Sequence, residues 1–506
     1  MLARKPTRAP GAWTHHAAKF LALVGLLSSV FGSLGHAFTS FRPPGSRCPS
    51  VFQRASKVVI SGAGPAGLLA ARCILDRRPE AEVEMLEKRG DPRTEQITGF
   101  RAYSLGLNIR GRTALQHWEG LWDLVSSKGI LSDKFLLHLG GQQLQLRANR
   151  PGSVPTLLIA RNDLCSALLH DLETRHGASG SGRLSMKFGE TLQDIDLEHR
   201  TCKTSLGRQM SYDDLIGADG VNSVVRTALS SVSDFCCESV DLPGQFKVWV
   251  GPCPESLDPM AVHAMSSQDY TLFSIPRVDG RLCTILSWTG EKAPAFLENS
   301  QEAVRQQIGQ DFPSFGPPAL SAIEQLQAQR PSKATTIRAN RYHDRAGRAM
   351  LLGDAAHSTG GTLGQGANSA LADVVFLDQL LEKHGEPGIS VVEDIGEEFS
   401  AARQPEGLAL WKLLQLPPKG PLSALYVISQ GLAGLVSRFL DGLPLAPPVQ
   451  NLLSETTTPY AEIVSANKFW LDLALKDAPG ALPSTAAEIV GQVLFDQVAP
   501  EGTEAH

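Results

Sequence analysis

The sequence predicts an α/β protein in which a parallel sheet with helices is combined with an antiparallel sheet and a helical carboxyl-terminal region. A β-branched run at residues 57–61 leads into a glycine-rich turn and a helical stretch, which is typical of a buried parallel strand and its crossover. Residues 241–334 contain alternating apolar runs that are separated by turns, as antiparallel strands require. Residues 396–475 are mostly helical in pattern.

The amino-terminal segment has the composition of a targeting sequence. Residues 1–19 carry four basic residues and no acid, and residues 20–34 form an apolar run. This order predicts a signal peptide over residues 1–37, with a retained membrane anchor as the alternative. Residues 38–56 lack acids and are rich in Ser, Arg and Pro, as in a transit peptide, so we expect a bipartite leader to a plastid. The alternatives are a secretory or endomembrane location and membrane anchoring. Residues 478–506 are expected to be a flexible tail.

The charge and the cysteine pattern argue against two classes of function. The formal net charge of −5 gives no basic footprint, so nucleic acid is not an expected partner. The eight cysteines contain no CxxC pair and no Cys/His metal spacing, so no metal site is predicted. The adjacent Cys236 and Cys237 are interpreted as small hydrophobic residues rather than as a redox pair.

The turn after the first strand carries a dinucleotide-binding pattern, GAGPAG. Gly62 permits the tight turn, Gly64 lets the backbone approach a pyrophosphate, and Gly67 lets the helix pack on the strand. The start of the helix presents free N–H groups and a positive dipole end to phosphates. A second strand, residues 82–86, ends at Glu87, which is placed to accept hydrogen bonds from a ribose. The pattern does not separate FAD from NAD, and a turn with a purely structural role is the alternative.

Two later segments repeat the arrangement of an apolar strand that ends at an acid beside a glycine. The strand YDDLIGA leads to Asp219 and Gly220, and a short helix is expected to end near Arg226. The strand AMLLG leads to Gly353 and Asp354, and a glycine-rich loop and a helix follow.

The three motifs, in this order and at this spacing, resemble the FAD-dependent aromatic monooxygenases, the group A flavoprotein family that includes para-hydroxybenzoate hydroxylase. The resemblance implies a Rossmann-like FAD-binding domain with an inserted antiparallel-sheet substrate domain. Because only one dinucleotide motif is present, it implies that NADPH binds in a groove rather than in a domain of its own. It further implies that the reduced flavin reacts with molecular oxygen to form a C4a-hydroperoxide, which hydroxylates an electron-rich ring.

The resemblance also implies roles for individual residues. Asp354 would bind the ribityl chain, Asp219 would support the pyrophosphate and NADPH, and Arg161, which opens a helix, would touch the cofactor. Arg101 would lie at the flavin, and the helix that begins near Gly366 would stabilise charge on the reduced ring through its dipole. The predicted cofactor-binding residues are Gly62, Ala63, Gly64, Pro65, Ala66, Gly67, Glu87, Lys88, Arg101, Arg161, Asp219, Gly220, Gly353, Asp354, Gly364, Gln365, Gly366, Ala367 and Asn368.

Most of residues 57–475 resemble the kynurenine 3-monooxygenase branch of this family, but the substrate pocket departs from it. By the spacing from Arg110, the arginine that binds the substrate carboxylate in that branch is replaced by Phe135, with Lys134 beside it. Phenylalanine offers no fork for a carboxylate, so we expect a more apolar pocket. Lys134, Phe135 and Phe273, the last in a segment that resembles the active-site sheet, are the predicted substrate residues.

Two smaller departures accompany this change. A tyrosine expected near residues 416–418 is absent, and Gly361 stands where the family has a proline. No general base is identifiable; Tyr270 and His357 are candidates, with structural roles as the alternative. The alternative functions are a plastid flavin reductase, desaturase or epoxidase acting on an isoprenoid-like substrate, and a non-catalytic FAD-binding scaffold.

The predicted domain order follows from these segments. An apolar helix over residues 423–440 is interpreted as core, as a membrane-surface element or as a partner face. The predicted boundaries are 57–240 for the first part of the FAD-binding domain with a sheet excursion at 133–155, 241–334 for the substrate sheet, 335–395 for the second FAD-binding part, and 396–477 for the helical region.

Overall fold

The computed structural model describes most of the chain that follows the predicted leader. The leader, the tail and Arg101 lie outside the described residues. Within the described part, no helix combines the length and the apolar character that crossing a membrane requires. The described residues are 56–94, 103–139, 142–147, 154–316, 320–384, 390–439 and 447–476.

The secondary structure is mixed, as the predicted α/β class requires. The strands are β1 (Ser56–Ser61), β2 (Ala81–Glu87), β3 (Ser104–Leu107), β4 (Ile130–Ser132), β5 (Lys134–Leu139), β6 (Gln142–Arg147), β7 (Thr156–Ala160), β8 (Leu184–Phe188), β9 (Leu192–Asp196), β10 (Thr201–Thr204), β11 (Gln209–Ser211), β12 (Asp214–Gly217), β13 (Cys237–Asp241), β14 (Gln245–Pro252), β15 (Ala261–Ser266), β16 (Thr271–Pro276), β17 (Arg281–Trp288), β18 (Thr335–Ala339) and β19 (Ala349–Leu351).

The α-helices pack on these strands and continue beyond them at the carboxyl-terminal side. They are α1 (Pro65–Arg77), α2 (Ile109–Gln116), α3 (Leu121–Ser126), α4 (Arg161–His176), α5 (Val224–Leu229), α6 (Gln301–Asp311), α7 (Glu324–Gln327), α8 (Asp354–His357), α9 (Gly366–Lys383), α10 (Val391–Leu413), α11 (Pro421–Phe439), α12 (Val449–Glu455), α13 (Tyr460–Ala466) and α14 (Lys468–Lys476).

A five-stranded parallel sheet in the order β19-β12-β1-β2-β8 carries all three glycine–acid motifs. Its central strand is apolar because both faces are covered, and Val58, Val59 and Ile60 are fully buried. From β1 the chain proceeds to β2 on one side, and β12 lies on the other side. This reversal of strand order opens a crevice at the carboxyl ends of the strands, where α/β proteins bind ligands.

A six-stranded sheet in the order β14-β17-β16-β15-β5-β6 forms the second layer. It is antiparallel as predicted, except that β5 and β15 run parallel, with Phe135 opposite Val262. One face packs on α6 through a cluster that includes Leu272 and Leu286. The other face carries Phe135 and Phe273, which pack with Leu158 of β7. The face with Phe135 and Phe273 therefore contacts β7, the strand that leads into α4.

The helical region begins at a capped helix start and ends in a separate core. Asp214 is fully buried, and its carboxylate accepts hydrogen bonds from the N–H groups of Val391 and Val392, at 3.1 and 3.0 Å, at the start of α10. The second half of α10 packs with α12, α13 and α14 around Leu410 and Leu453. Helix α11 matches the apolar helix predicted over 423–440. Its exposed side chains include Leu425, Val427, Ile428 and Leu432.

Candidate active site

The glycine turn after β1 is fixed by close backbone contacts. Gly62 has a φ of +101°, and a Cβ atom there would lie 2.5 Å from the carbonyl oxygen of Ala218. A Cβ at Gly67 would lie 2.0 Å from the carbonyl oxygen of Gly62. Gly64 differs, because the nearest atom to a Cβ there is Nη2 of Arg161 at 3.1 Å. Gly62 and Gly67 therefore serve packing, and Gly64 gives the backbone access to a guanidinium group.

The carboxylate of Glu87 stabilises this turn through hydrogen bonds to the backbone. Its Oε2 accepts a hydrogen bond from the N–H of Ala63 at 2.8 Å, and its Oε1 accepts one from the N–H of Arg89 at 3.0 Å. The carboxylate is buried, whereas the neighbouring Lys88 is exposed. Sequence reasoning assigned Glu87 to a ribose and did not anticipate this bond to the turn.

The second motif is linked to both of the others. Oδ2 of Asp219 accepts hydrogen bonds from Ser61 Oγ at 3.2 Å and from the N–H of Val224 at 2.8 Å. Its Oδ1 is buried and has no hydrogen-bond partner among the described residues. Helix α5 begins at Val224, so Arg226 lies inside the helix rather than at its end as predicted. Arg226 Nη1 donates to the carbonyl of Ala355 at 2.9 Å, which joins the second motif to the third.

Asp354 lies in a cleft of the surface. Its side chain is exposed to solvent, yet the surrounding protein desolvates the carboxylate and thereby raises its pKa. An accessible group that is also desolvated belongs to a concave surface. A Cβ at Gly366 would lie 3.5 Å from Oδ1 of Asp354, so the carboxylate stands at the start of α9. Gly353 packs against Ala370 of α9, and a Cβ atom at Gly353 would lie 2.9 Å from the Cβ of Ala370.

Arg161 and Tyr103 line the same cleft. Burial favours the neutral form of Arg161, but the nearby Cys165, Tyr103, Glu87 and Asp354 outweigh it and raise the pKa of the guanidinium. Tyr103 is 37% exposed, and desolvation raises the pKa of its phenol. Among the described residues its hydroxyl has no hydrogen-bond partner. The sequence analysis did not predict Tyr103 as a site residue. It could have been found as the aromatic residue two positions after Arg101 and directly before β3.

Comparison with known proteins identifies the family. Residues 55–385 match the model of a family described as FAD binding domain. Kynurenine 3-monooxygenase of Xanthomonas oryzae pv. oryzae is 30% identical over 358 residues, which are 68% of this chain and 74% of that enzyme. The chain belongs to the FAD-dependent aromatic monooxygenase family. The kynurenine 3-monooxygenase of Stenotrophomonas maltophilia is 28% identical over 366 residues, 70% of this chain and 77% of the relative.

Solved structures of this monooxygenase family share the fold. A tetrameric form of 2-methyl-3-hydroxypyridine-5-carboxylic acid oxygenase aligns with a TM-score of 0.58 and 19% identity over 78% of this chain and 95% of that one. The PqsL structure of P. aeruginosa, in complex with 2-aminobenzoylacetate, aligns with a TM-score of 0.55 and 18% identity over 81% and 99% of the two chains. The match to the family model and the 30% identity to kynurenine 3-monooxygenase, rather than these structures, make the protein an FAD-dependent oxidoreductase.

Residues 358–368, which join the third motif to the start of α9, are called the flavin loop. The side chains of Gln365 and Asn368 in this loop bond within the protein. Asn368 is fully buried; its Oδ1 accepts hydrogen bonds from the N–H groups of Asn108 at 3.0 Å and Gly111 at 3.1 Å. Its Nδ2 donates to the carbonyls of Gly106 and Gly364 at 3.0 and 2.9 Å. Gln365 is likewise buried and bonded to Asn108. Because these side chains bond within the protein and hold the loop, a bound cofactor would contact the backbone of the loop.

The candidate base His357 lies in a buried ionic network. Its Nε2 is 2.6 Å from Oδ2 of Asp373, and Arg403 Nε donates to Oδ1 of Asp373 at 2.8 Å. The N–H of Gly353 also donates to Oδ2, at 3.0 Å. His357 is 5% exposed, and its ring lies 5.4 Å from that of Tyr342. This position supports a structural role at the third motif.

The other candidate base, Tyr270, is separated from the motifs. It packs edge-to-face with Phe312 at 5.6 Å in the core between the six-stranded sheet and α6. Its hydroxyl donates to Oδ2 of Asp311 at 2.7 Å, and burial raises the pKa of the phenol. The structure therefore does not bring Tyr270 together with the cofactor motifs.

Only two of the three predicted substrate residues share a face of the sheet. The rings of Phe135 and Phe273 are 5.9 Å apart on the apolar face. Lys134 points to the opposite face because neighbouring residues of a strand alternate, and its Nζ forms an ion pair with Asp258 at 2.6 Å. The prediction that Lys134 lines the pocket is therefore corrected.

Proposed function

We propose that the protein is an NAD(P)H-driven monooxygenase that hydroxylates an aromatic or similarly electron-rich small molecule. One oxygen atom of O2 enters the substrate and the other leaves as water, while reduced nicotinamide, with NADPH as the expected donor, supplies two electrons. The single observation that carries the choice of substrate is the apolar face of the six-stranded sheet at Phe135 and Phe273. Apolar and aromatic lining is typical of small-molecule sites.

The cleft offers groups that suit FAD. The Gly64 turn, the start of α1 and the Arg161 guanidinium suit a pyrophosphate. Asp219 Oδ1 and Asp354 are acceptors for hydroxyl groups, such as those of ribose and ribitol. When bound, FAD supplies the electron transfer and the activation of oxygen. The protein residues bind and orient, and the apolar face excludes water from the place where substrate would react.

The decisive experiment measures oxygen incorporation by the full-length, FAD-loaded chain. NADPH oxidation is followed with L-kynurenine and with uncharged aromatic rings such as indole and naphthol, under 18O2. We expect an uncharged ring to stimulate oxidation more than L-kynurenine does and to gain one labelled atom. Stimulated oxidation of NADPH without labelled product would favour the reductase or desaturase on an isoprenoid-like substrate. Failure of NADPH to reduce the flavin would favour a scaffold.

The replacement Phe135→Arg tests whether this position determines the response to carboxylates. The new guanidinium would stand on the apolar face, where charge-assisted hydrogen bonds to a carboxylate contribute about 1.5–3 kcal/mol. We expect the Kd of L-kynurenine, measured by flavin absorbance, to fall by about tenfold or more. Lys134→Arg is the matched control, because it adds the same group on the opposite face. Equal responses of the two variants would contradict the assignment.

The Tyr103→Phe variant tests the unpaired hydroxyl in the cleft. If this hydroxyl bonds to a polar group of the substrate, its loss removes about 1 kcal/mol, so kcat/KM should fall by about five- to tenfold. The hydroxyl has no partner among the described residues, so thermal unfolding should change little. A large drop in Tm with unchanged kcat/KM per folded, FAD-loaded protein would assign Tyr103 to structure instead.

A further inference from the structure

A buried polar network joins the flavin loop to the carboxyl-terminal helical region. The hydroxyl of Tyr460, at the start of α13, donates to Oε1 of Gln365 at 3.1 Å. Asn108 Nδ2 donates to the same Oε1 at 3.2 Å and to the carbonyl of Leu453 in α12 at 3.1 Å. These residues are nearly inaccessible to solvent, with Tyr460 and Gln365 each 2% exposed. Hydrogen bonds in such surroundings fix geometry, because water cannot replace a lost partner.

Tyr460 is itself held from two sides. The guanidinium of Arg110 lies over its ring at 4.2 Å and donates from Nε to the carbonyl of Leu453 at 3.3 Å. The carboxylate of Glu406 in α10 accepts hydrogen bonds from the N–H groups of Tyr460 at 2.7 Å and Ala461 at 3.2 Å. The position of the Tyr460 hydroxyl is therefore set by α10, α12 and α2 together.

The flavin loop has few other constraints. Gly361 and Gly364 have φ values of +82° and +65°, and a Cβ at either would meet no atom within 4 Å. Between them, Leu363 packs against the core of the helical region that includes Tyr460 and Leu453. The backbone between the third motif and α9 is thus held mainly through Leu363 and Gln365, together with the bond from Asn368 Nδ2 to the Gly364 carbonyl.

We infer that Tyr460 is a positioning residue, whose hydroxyl holds Gln365 and thereby the loop backbone in the arrangement that binds FAD. FAD binding and the packing of residues 449–466 then favour each other, because a coupling between two equilibria acts in both directions. The inference rests on the FAD site of the family and not on the proposed substrate. The inference can therefore be wrong while the proposed substrate is right, and the proposed substrate can be wrong while the inference is right.

Hydrogen exchange of the full-length chain tests the coupling without a variant. We expect amides of residues 449–466 to exchange more slowly in the FAD-loaded protein than in the protein stripped of FAD. The amides of α6, which packs on the face of the six-stranded sheet opposite Phe135 and Phe273, should change their exchange rates less. Equal protection of residues 449–466 in both forms would overturn the inference.

The variant Tyr460→Phe removes the hydroxyl and keeps the ring. Loss of one buried hydrogen bond predicts an FAD Kd about fivefold higher, and FAD should protect residues 449–466 less than in the wild type. Tyr426→Phe is the control: Tyr426 lies in the same helical region, edge-to-face with Trp470 at 5.5 Å, and its hydroxyl bonds to none of the described residues. Wild-type affinity in Tyr460→Phe, or an equal loss in both variants, would overturn the inference.

Discussion

The replacement Gly67→Ala is expected to weaken FAD binding severely and to destabilise the fold strongly. The added methyl group would lie 2.0 Å from the carbonyl oxygen of Gly62 and 3.3 Å from the Cβ of Ala218. Its nearest neighbour is backbone rather than a flexible side chain, so α1 must move away from β1. Overpacking of this kind costs about 1–3 kcal/mol or more. We expect urea unfolding to show a loss of unfolding free energy at the upper end of this range. The Kd of FAD should rise at least about 100-fold, which is equivalent to roughly 2.7 kcal/mol of binding free energy.

Gly309→Ala is the matched control for this variant. Gly309 lies in α6, and its would-be Cβ is 3.7 Å from Leu320 Cδ1, an ordinary contact. Because alanine favours the helix, we expect stability to rise by up to about 1 kcal/mol with FAD affinity unchanged. FAD affinity of Gly67→Ala equal to that of the wild type would show that the turn tolerates a wider separation of strand and helix.

The motifs at the ends of parallel strands could be predicted because each is local in sequence. A buried strand, a glycine and an acid occur within a few residues of each other, and the carboxyl ends of parallel strands meet at one edge of the sheet. Gly62, Glu87, Asp219 and Asp354 are brought together for this reason. The alternation along β5 is equally local, and it explains why Phe135 and Lys134 lie on opposite faces.

The partners of polar side chains could not be predicted, because they come from distant parts of the chain. Gln365 bonds to Tyr460, 95 residues away, and Asn108 bonds to Asn368, 260 residues away. A motif marks Gln365 and Asn368 as part of a loop, but not whether their side chains face a cofactor or the protein.

The replacement Asp373→Asn is expected to have the second large effect. Asp373 is fully buried between His357 and Arg403 and also accepts a hydrogen bond from the N–H of Gly353. Removing its charge leaves the largely buried guanidinium of Arg403 without the carboxylate that it contacts, which costs about 3–5 kcal/mol. Urea unfolding should show this loss. Asp472→Asn, in an exposed pair with Lys468 at 2.9 Å, should change stability by less than about 0.5 kcal/mol.

The pH dependence of that loss decides the role of His357. Burial alone would raise the pKa of Asp373, but His357 and Arg403 lower it to about 2, so its contribution to stability is present above pH 3.8 and is lost as pH falls towards 2. Burial favours neutral His357, but Asp373 outweighs it and raises the pKa above 6.5, so this contribution is present below pH 6.5 and is lost as pH rises through the folded value.

The destabilisation by Asp373→Asn should therefore be larger at pH 5.5 than at pH 9, as measured by urea unfolding at both values. That result would mean that His357 is a charged partner of Asp373 in the folded protein, holding the third motif in place. A destabilisation that is the same at both pH values would mean that His357 does not change charge between them. Its role in proton transfer would then be the one to test, through the pH profile of His357→Gln.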